Sequence, residues 1–282
     1  MKISIITVNY NNKRGLANTA LSIASQTAHD IEWIIIDGGS TDGSVDIINE
    51  YKEHVTFWKS EKDNGIYNAM NKGISHATGD YVIFMNSGDT FVSCKCLEGV
   101  MKRKISADIV IGDIVLSYED GSHYYKQSPA NLSVQRLLKE SVPHQSSFIK
   151  LSVLKQNGGY DESYTIISDY VFCWRMIIEK SCSYEKLPIP IAYYDVTGIS
   201  GRNSVQYSNE VTRFLSNYIS NSVLGTFRKQ NDIPYMLAAY MTNKTQISFT
   251  MFAKHIIAGV FIFLNLVSAK YKYLRYCKFG LY

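Results

Sequence analysis

Residues 60–89 constrain the fold most, because they join a helical pattern to a buried strand and end in a polar turn. The strand run, residues 81–85, is apolar enough to be covered on both faces of a sheet. The apolar residues at helical spacing before it are Ile66, Ala69, Met70, Gly73 and Ile74. Ligands of open α/β sheets bind beyond the carboxyl ends of strands, so the turn at residues 86–89 is a candidate site.

That turn has two interpretations. Asn, Ser, Gly and Asp are common turn residues, and a plain turn accounts for them. Alternatively, the carboxylate of Asp89 holds a divalent cation, and the cation holds a diphosphate.

Strand and helix patterns alternate through the first part of the chain. Strands are predicted at residues 2–8, 32–37, 55–58 and 108–113, and helical stripes lie at residues 16–24 and 44–51. Short connections between such elements predict right-handed crossovers and a mostly parallel sheet flanked by helices.

Polar residues follow three of these strands: Asn9 with Tyr10, Asp37, and residues 86–89. The carboxyl ends of parallel strands share one edge, so we expect these groups to face one cleft. The glycine patterns of dinucleotide-binding and P-loop proteins do not occur here, which argues against both classes.

Composition indicates the compartment. Five cysteines among 282 residues form no metal-ligand or secreted-disulfide pattern, and a strand-like run begins at the first residues. These features favour a reducing cytoplasm.

The C-terminal part is basic. Residues 200–282 carry ten Lys and Arg against two Asp and Glu. An apolar run within residues 255–269 is shorter than the roughly 20 residues of a membrane span, and basic and aromatic residues alternate after it. This pattern predicts a helical region, residues 204–282, that associates with an anionic membrane surface. A core helix with a solvated basic end is the alternative. Nucleic acid is excluded as a partner, since no recognised binding fold accompanies the charge.

The motifs TVNYNN, IIIDGGSTDGS and SEKDNGIYNAMNKGISHATGDYVIFMNSGD resemble those of the family-2 glycosyltransferases, which have the GT-A fold. The resemblance covers roughly residues 1–200 and is strongest to bacterial enzymes of colanic-acid, O-antigen and capsule assembly. It implies a GT-A domain at residues 1–203, with a nucleotide-sugar half at about 1–115 and an acceptor half at about 116–203.

The resemblance also implies roles for individual residues. Asp169 would be the catalytic base, and Asp89, with Asn86 as a further candidate, would hold Mg²⁺ or Mn²⁺. His144, Gln145 and Asp113 would contact the acceptor. The nucleotide site would comprise Thr7, Asn9, Tyr10, Asp37, Asp63 and Lys72.

Two departures from the family pattern concern acids. Residues 86–88 replace the usual Asp-x-Asp, so Asp89 is the one acid left there, and Ser168 replaces the first acid of the usual Glu-Asp pair. Diphosphate and water oxygens would have to complete the octahedron of the cation.

Simpler roles stay open for several of these residues. Asp169 suits the start of a helix and could be a cap. Lys72 could be a solvated lysine, Asp113 a strand-end turn residue, and His144 structural.

We therefore expect an inverting, metal-dependent glycosyltransferase, peripheral on the inner face of the cell membrane. It would move a sugar from a nucleotide donor, expected to be a UDP-sugar, to a polyprenyl-diphosphate-linked glycan. The alternatives are a sugar-nucleotide-forming nucleotidyltransferase and a non-catalytic nucleotide-sugar-binding protein.

Overall fold

A computed structural model of the chain describes residues 1–118, 120–139, 141–196 and 203–219. The strands are β1 Ile3–Asn9, β2 Ile31–Asp37, β3 Phe57–Ser60, β4 Tyr81–Phe84, β5 Thr90–Phe91, β6 Ile109–Ser117, β7 His123–Lys126, β8 Ser147–Lys150 and β9 Tyr184–Asp195. The α-helices are α1 Lys13–Ala24, α2 Ser44–Glu50, α3 Ile66–His76, α4 Cys96–Lys102, α5 Val134–Lys139, α6 Leu151–Gln156, α7 Ser168–Trp174 and α8 Ser204–Leu215. A 3₁₀ turn, His144–Ser146, precedes β8, and a π turn, Arg175–Glu179, follows α7.

The described strands form one mixed sheet in the order β3-β2-β1-β4-β8-β6-β9-β5, with β7 paired to β6. The longest ladders, β1 with β2 and β6 with β9, are parallel, and β8 runs antiparallel between β4 and β6. The predicted α/β architecture with flanking helices is confirmed. Its parallel part places the ends of β1, β2 and β4 at one edge.

The central strands are buried because their sequences are apolar on both faces. Every residue of β1 and β4 is buried, and in β2 only Ile31 is partly exposed. Helix α1 packs Leu16, Ala20 and Ile23 into the same core, and α3 covers β1 and β2. A rigid sheet of this kind holds strand-end side chains at fixed positions.

Two strands differ from the predictions. The run at residues 55–58 is displaced, because the 3₁₀ turn Lys52–His54 extends from α2 and β3 begins only at Phe57. The strand that was predicted to end at Asp113 continues to Ser117. Asp113 therefore lies inside the strand, and the partner strand β9 holds additional, unpaired residues on both sides of its pairing with Asp113.

Backbone contacts divide the chain into two compact units, Met1–Val211 and Thr212–Tyr282. Of the second unit the structure describes residues 212–219, where the rings of Phe214 and Tyr218 pack edge to face. The apolar run at residues 255–269 and the basic residues after it lie outside the described residues. Among the helices of the described ranges, none is long and apolar enough to cross a bilayer.

Candidate active site

A cleft of about 710 Å³ opens at the carboxyl ends of β1 and β4. Its walls also include the start of α3, β6, the end of β7, the 3₁₀ turn before β8, the start of α7, the end of β9 and α8. The predicted site residues that line it are Asn9, Tyr10, Asp63, Asn86, Asp89, His144, Gln145 and Asp169. Thr7, Asp37, Lys72 and Asp113 are not among the lining residues.

Asp37 does not line the cleft itself but holds Asn9, which does. It is fully buried, and it pairs in register with Asn9 at the neighbouring strand end. Its carboxylate accepts hydrogen bonds from Asn9 Nδ2 (2.7 Å), Ser60 Oγ (2.6 Å) and both the backbone and hydroxyl of Ser40. Burial alone raises the pKa of Asp37, but the bonds from Ser40, Ser60 and Asn9 outweigh it and lower the pKa below 3.8. The carboxylate is therefore committed to protein donors.

Asn9 connects Asp37 to the polar turn through the two ends of its side-chain amide. Its Oδ1 accepts from Ser87 Oγ at 2.6 Å, while its Nδ2 donates to Asp37. Thr7, two residues before it, is buried and accepts from the indole of Trp33 at 2.9 Å. Asp37 thus positions Asn9 and, through it, Ser87, while Thr7 anchors β1 to Trp33 in the core.

Tyr10, Gly38 and Asp63 form a narrow slot at one end of the cleft. A Cβ atom at Gly38 would lie 2.8 Å from Asp63 Oδ2 and 3.1 Å from the Tyr10 ring, so only glycine leaves this space open. Tyr10 is 67 % exposed and presents a ring face. Lys72 lies elsewhere: its ammonium pairs with Glu61 at 2.9 Å.

The polar turn after β4 is held by α1. The backbone N–H of Asp89 donates to the carbonyl of Asn86 at 2.9 Å, which closes the turn. Thr19 of α1 donates to the carbonyl of Asp89 at 2.7 Å and accepts from the N–H of Gly88 at 3.0 Å. Asn12 donates to the carbonyl of Ser87 at 3.0 Å. These bonds fix the direction of the two side chains that matter here, Asn86 and Asp89.

Two side-chain oxygens of this turn, on Asn86 and Asp89, have the chemistry that a divalent cation requires. Asp89 is 5 % exposed, and burial raises its pKa to about 7, against the opposing effects of His144, the N–H of Asp195 and Gln145. Asn86 Oδ1 is buried and has no hydrogen-bond partner among the described residues. Both features fit a hard divalent cation, which would relieve the buried charge and satisfy the amide oxygen. Among the described residues, no group of three or more His, Cys, Asp or Glu is arranged to hold a metal ion.

Asp169 lines the same cleft as the turn and is held by two donors. Tyr67 Oη is 2.9 Å from Asp169 Oδ1, and His144 Nδ1 is 3.0 Å from Oδ2. Helix α7 has Ile167 at its N-cap and no side-chain cap bond, so the carboxylate points to these partners and not to the helix end. Each carboxylate oxygen keeps a lone pair for a further hydrogen bond.

The two donors differ in how readily they titrate. Burial, with the charge of Asp169, raises the pKa of Tyr67 well above 10, so Tyr67 stays a donor. Burial lowers the pKa of His144, but the hydrogen bond to Asp169 and the charges of Asp169 and Asp89 outweigh it and raise the pKa above 6.5. The other ring nitrogen of His144, Nε2, lies 3.1 Å from Asn86 Nδ2. One imidazole therefore joins the polar turn to Asp169.

Asp113 faces away from the cleft. It accepts from Tyr125 Oη and from the backbone and hydroxyl of Ser128 at 2.8 and 2.9 Å, and Lys186 lies 4.0 Å away. Burial raises its pKa, but the bonds from Tyr125 and Ser128 outweigh it and lower the pKa below 3.8. Its predicted place at a strand end is wrong, because β6 continues to Ser117. The alternation of β6 puts Ile114 and Leu116 in the cleft lining and Asp113 on the other face, and its contact with the acceptor stays a prediction.

Several residues of the site carry no local signal in the sequence. Tyr67 lies on the apolar face of α3 and looks like an ordinary core residue. Asp195 lines the cleft and donates its N–H to Asp89 Oδ1 at 3.1 Å from 106 positions along the chain. Glu210 of α8 accepts from the backbone N–H groups of Thr165 and Ile166, both at 3.0 Å, and so fixes the loop before α7.

Comparison with known proteins bears on this arrangement. The family model described as "Glycosyl transferase family 2" matches residues 4–182. The chain belongs to this family. An uncharacterized glycosyltransferase of Mycobacterium tuberculosis is 31 % identical over 217 residues, which cover 70 % of this chain and 76 % of that protein. A PGL/p-HBAD biosynthesis glycosyltransferase of the same species is 27 % identical over 183 residues, which cover 63 % and 70 %.

Solved glycosyltransferase structures share the fold. Staphylococcus aureus TarS 1–349 in complex with UDP-GlcNAc superimposes with a TM-score of 0.61 at 18 % identity, over 77 % of this chain and 67 % of that one. The alignment spans 44 % of a longer TarS structure. A Pyrobaculum calidifontis mannosyltransferase, in complex with GDP-Man and Mn²⁺, gives 0.59 at 15 % identity, over 93 % and 80 %. The GT-A fold that the motifs predicted is confirmed.

Proposed function

We propose that this family-2 glycosyltransferase is an inverting, metal-dependent hexosyltransferase that uses a nucleotide-sugar donor and a glycan acceptor. The observation that carries the proposal is the position of Asp169. Its carboxylate lines the same cleft as Asn86 and Asp89, and Tyr67 and His144 hold it there. A group that can take a proton and oxygens that fit a cation, both in one cleft, match the two demands of glycosyl transfer.

The base acts on the acceptor. As the acceptor oxygen bonds to the anomeric carbon, its proton passes to Asp169, and the electron pair of the breaking C–O bond leaves with the nucleoside diphosphate. Tyr67 and His144 hold the carboxylate in place with hydrogen bonds that do not consume its remaining lone pairs. Attack from the side opposite the leaving group inverts the anomeric carbon.

The donor would lie along the ends of β1 and β4. Asp89 and Asn86 would hold the cation, which when bound neutralises charge on the leaving diphosphate. The slot between Tyr10 and Asp63 would take the nucleobase, with the Tyr10 ring against its face and Asp63 as acceptor. Asp37 would contribute by ordering Asn9 and the loop at Ser40, and Thr7 by its place in the buried strand that leads to Asn9.

We favour UDP-sugars as donors and a polyprenyl-diphosphate-linked glycan of a bacterial surface polysaccharide as acceptor. The TarS complex with UDP-GlcNAc supports the first choice at the level of a similar fold. The basic residues of region 200–282 support the second, since they suit an anionic membrane surface at the inner face of the cell membrane. This placement makes the protein cytoplasmic and peripheral.

A screen of donors tests the function directly. The full chain is incubated with UDP-GlcNAc, UDP-glucose, UDP-galactose and GDP-mannose, with Mn²⁺ or with EDTA, and release of nucleoside diphosphate is measured. We expect hydrolysis of one UDP-sugar with Mn²⁺ and none with EDTA. A chain that binds UDP but hydrolyses no donor would instead be a binding protein.

A truncation tests the membrane part separately. Deleting residues 255–282 should move the protein from the membrane fraction to the soluble one and leave donor hydrolysis unchanged. High salt should release part of the native protein, because each basic residue near anionic lipid contributes about 1 kcal/mol. A native chain that fractionates as soluble would contradict this placement.

A further inference from the structure

The face of the sheet that lines the cleft extends onto a hairpin that carries the exposed ring of Tyr124. Strands β6 and β7 form this hairpin, and β9 pairs with the other side of β6. Tyr124 on β7 lies directly opposite Leu116 on β6, and Leu116 lies directly opposite Tyr194 on β9. Directly paired side chains project from the same face of a sheet. Leu116 and Tyr194 both line the cleft, so Tyr124 is on the cleft face.

The two faces of the hairpin differ in how their side chains are used. On the back face, His123 lies 3.1 Å from Ser117 Oγ and packs its ring 5.3 Å from that of Tyr193. On the same face Tyr125 donates to Asp113. Tyr124, in contrast, is 63 % exposed and makes no hydrogen bond or ring contact with any described residue. Within the described ranges, no hydrogen bond or ring contact accounts for the aromatic side chain at this position.

We propose that Tyr124 is the platform of an acceptor subsite that takes the sugar ring next to the one that receives the transferred sugar. This inference rests on the proposed glycosyl transfer, because it assigns the occupant of the cleft's outer end. A pyranose ring has a C–H face that buries apolar surface against an aromatic ring and hydroxyls that stay hydrated at its edge. A tyrosine suits this partner, since it offers a flat apolar face and a polar tip.

The surroundings favour a sugar over a membrane or a second protein chain. In the sequence, His123 precedes Tyr124, and Tyr125 and Lys126 follow it. The turn before these residues contains Asp120 and Ser122. Three tyrosines of the hairpin are exposed, Tyr118, Tyr124 and Tyr125, and Tyr125 lies on the back face. Single rings set among polar residues are no contiguous apolar patch of the kind that marks protein or membrane interfaces. The continuity of Tyr124 with the cleft lining places it where an acceptor longer than one sugar must extend.

The test uses matched glycosides of one and two rings. Methyl β-glucoside with methyl β-cellobioside, and methyl β-galactoside with methyl β-lactoside, are titrated into the full chain in the presence of UDP and Mn²⁺. We expect one disaccharide to bind the native protein about tenfold more tightly than its monosaccharide, the gain from burying one ring face. Tyr124→Ala should abolish this tenfold difference without changing monosaccharide affinity, and Tyr124→Trp should keep it.

His123→Ala is the matched control, because it truncates a ring on the opposite face of the same strand. It should leave the disaccharide preference intact. The subsite is refuted if no disaccharide binds better than its monosaccharide, if Tyr124→Ala leaves the preference unchanged, or if His123→Ala removes it equally. Loss of binding to phosphatidylglycerol vesicles in Tyr124→Ala, with the preference unchanged, would assign the ring to the membrane. Failure of the proposed function shows differently, as a native chain that does not bind UDP or hydrolyse any donor.

Discussion

Nδ1 of His144 lies 3.0 Å from Oδ2 of Asp169, and both side chains are more than four-fifths buried. The second ring nitrogen lies 3.1 Å from the Asn86 amide. The imidazole therefore sets the direction of Asp169 relative to the polar turn. A group that acts through the position of a base should affect the chemical step more than donor binding.

Replacing His144 tests this relationship. His144→Ala removes a donor from Asp169 and a partner from Asn86, and we expect transfer to fall about 10- to 100-fold, the scale of a base displaced by about 1 Å. His144→Asn, whose amide can still donate near the position of Nδ1, should recover part of the loss. Steady-state transfer kinetics, with UDP affinity measured by calorimetry, check both variants.

The loss should appear in kcat, with UDP affinity within twofold of the native value. His29→Ala, at an exposed histidine, is the matched control and should behave as the native chain. Equal losses in UDP affinity and in kcat would mean that His144 shapes the donor site, and the positioning role would be wrong.

Asp89 should be essential for metal-dependent turnover. Asp89→Asn removes the one acid of the polar turn, and we expect donor hydrolysis to fall at least about 10³-fold, since metal stabilisation of a leaving diphosphate contributes several kcal/mol. Without metal and near pH 8, the unfolding temperature of Asp89→Asn should be no lower than that of the native chain. Burial raises the pKa of Asp89 to about 7, so in the native chain its buried charge opposes folding above that pH.

Asp46→Asn, at an exposed carboxylate in the first turn of α2, serves as the control and should keep full activity. Full turnover of the native chain in excess EDTA would refute the metal assignment.

The sequence predicted the inner strands well because their burial is complete. Continuous apolar runs at β1, β2 and β4 and the 3.6-residue spacing in α3 left few other structures for these segments. The convergence of Asn9, Asp37 and the polar turn at one sheet edge followed from parallel pairing alone. What the strand patterns could not indicate is that Asp37 would be enclosed by Ser40 and Ser60.

Long-range contacts account for the rest. Tyr67 and Asp169 are 102 positions apart, and Asp89 and Asp195 are 106 apart, so no local pattern reports these pairs. Asp113 was predicted to end its strand, but the apolar run continues through Ile114, Val115 and Leu116, and β6 ends at Ser117. The boundary at residue 203 and the roles assigned to single residues stay predictions.

Glu32 should make folding depend on pH in the acid range. It is 3 % exposed, and Lys2 lies 2.6 Å from it, with further hydrogen bonds from Ser4 and Thr78. Burial alone would raise its pKa, but the bonds from Lys2, Ser4 and Thr78 outweigh it and hold the pKa at about 2. The stability that this lowered pKa supplies is present above about pH 4.5 and is lost as the pH falls towards 2.

Glu32→Gln should therefore lower the free energy of unfolding by about 3 kcal/mol at pH 7 and by progressively less below pH 4.5. Urea unfolding at pH 7, 5 and 3 measures this difference. Glu50→Gln, at the exposed end of α2, should change it little at any of the three. A Glu32 variant as stable as the native chain at pH 7 would contradict the account.

The most direct test of the proposed mechanism is sugar transfer by Asp169→Asn, measured beside UDP affinity. The amide keeps the size of the side chain and an oxygen that accepts from Tyr67 or His144, but it cannot take a proton from the acceptor. We predict that transfer falls about 10²- to 10⁴-fold, the usual contribution of a positioned base, while UDP affinity and thermal unfolding stay near native. Transfer at a near-native rate by Asp169→Asn would show that Asp169 is not the base and would contradict the mechanism proposed here.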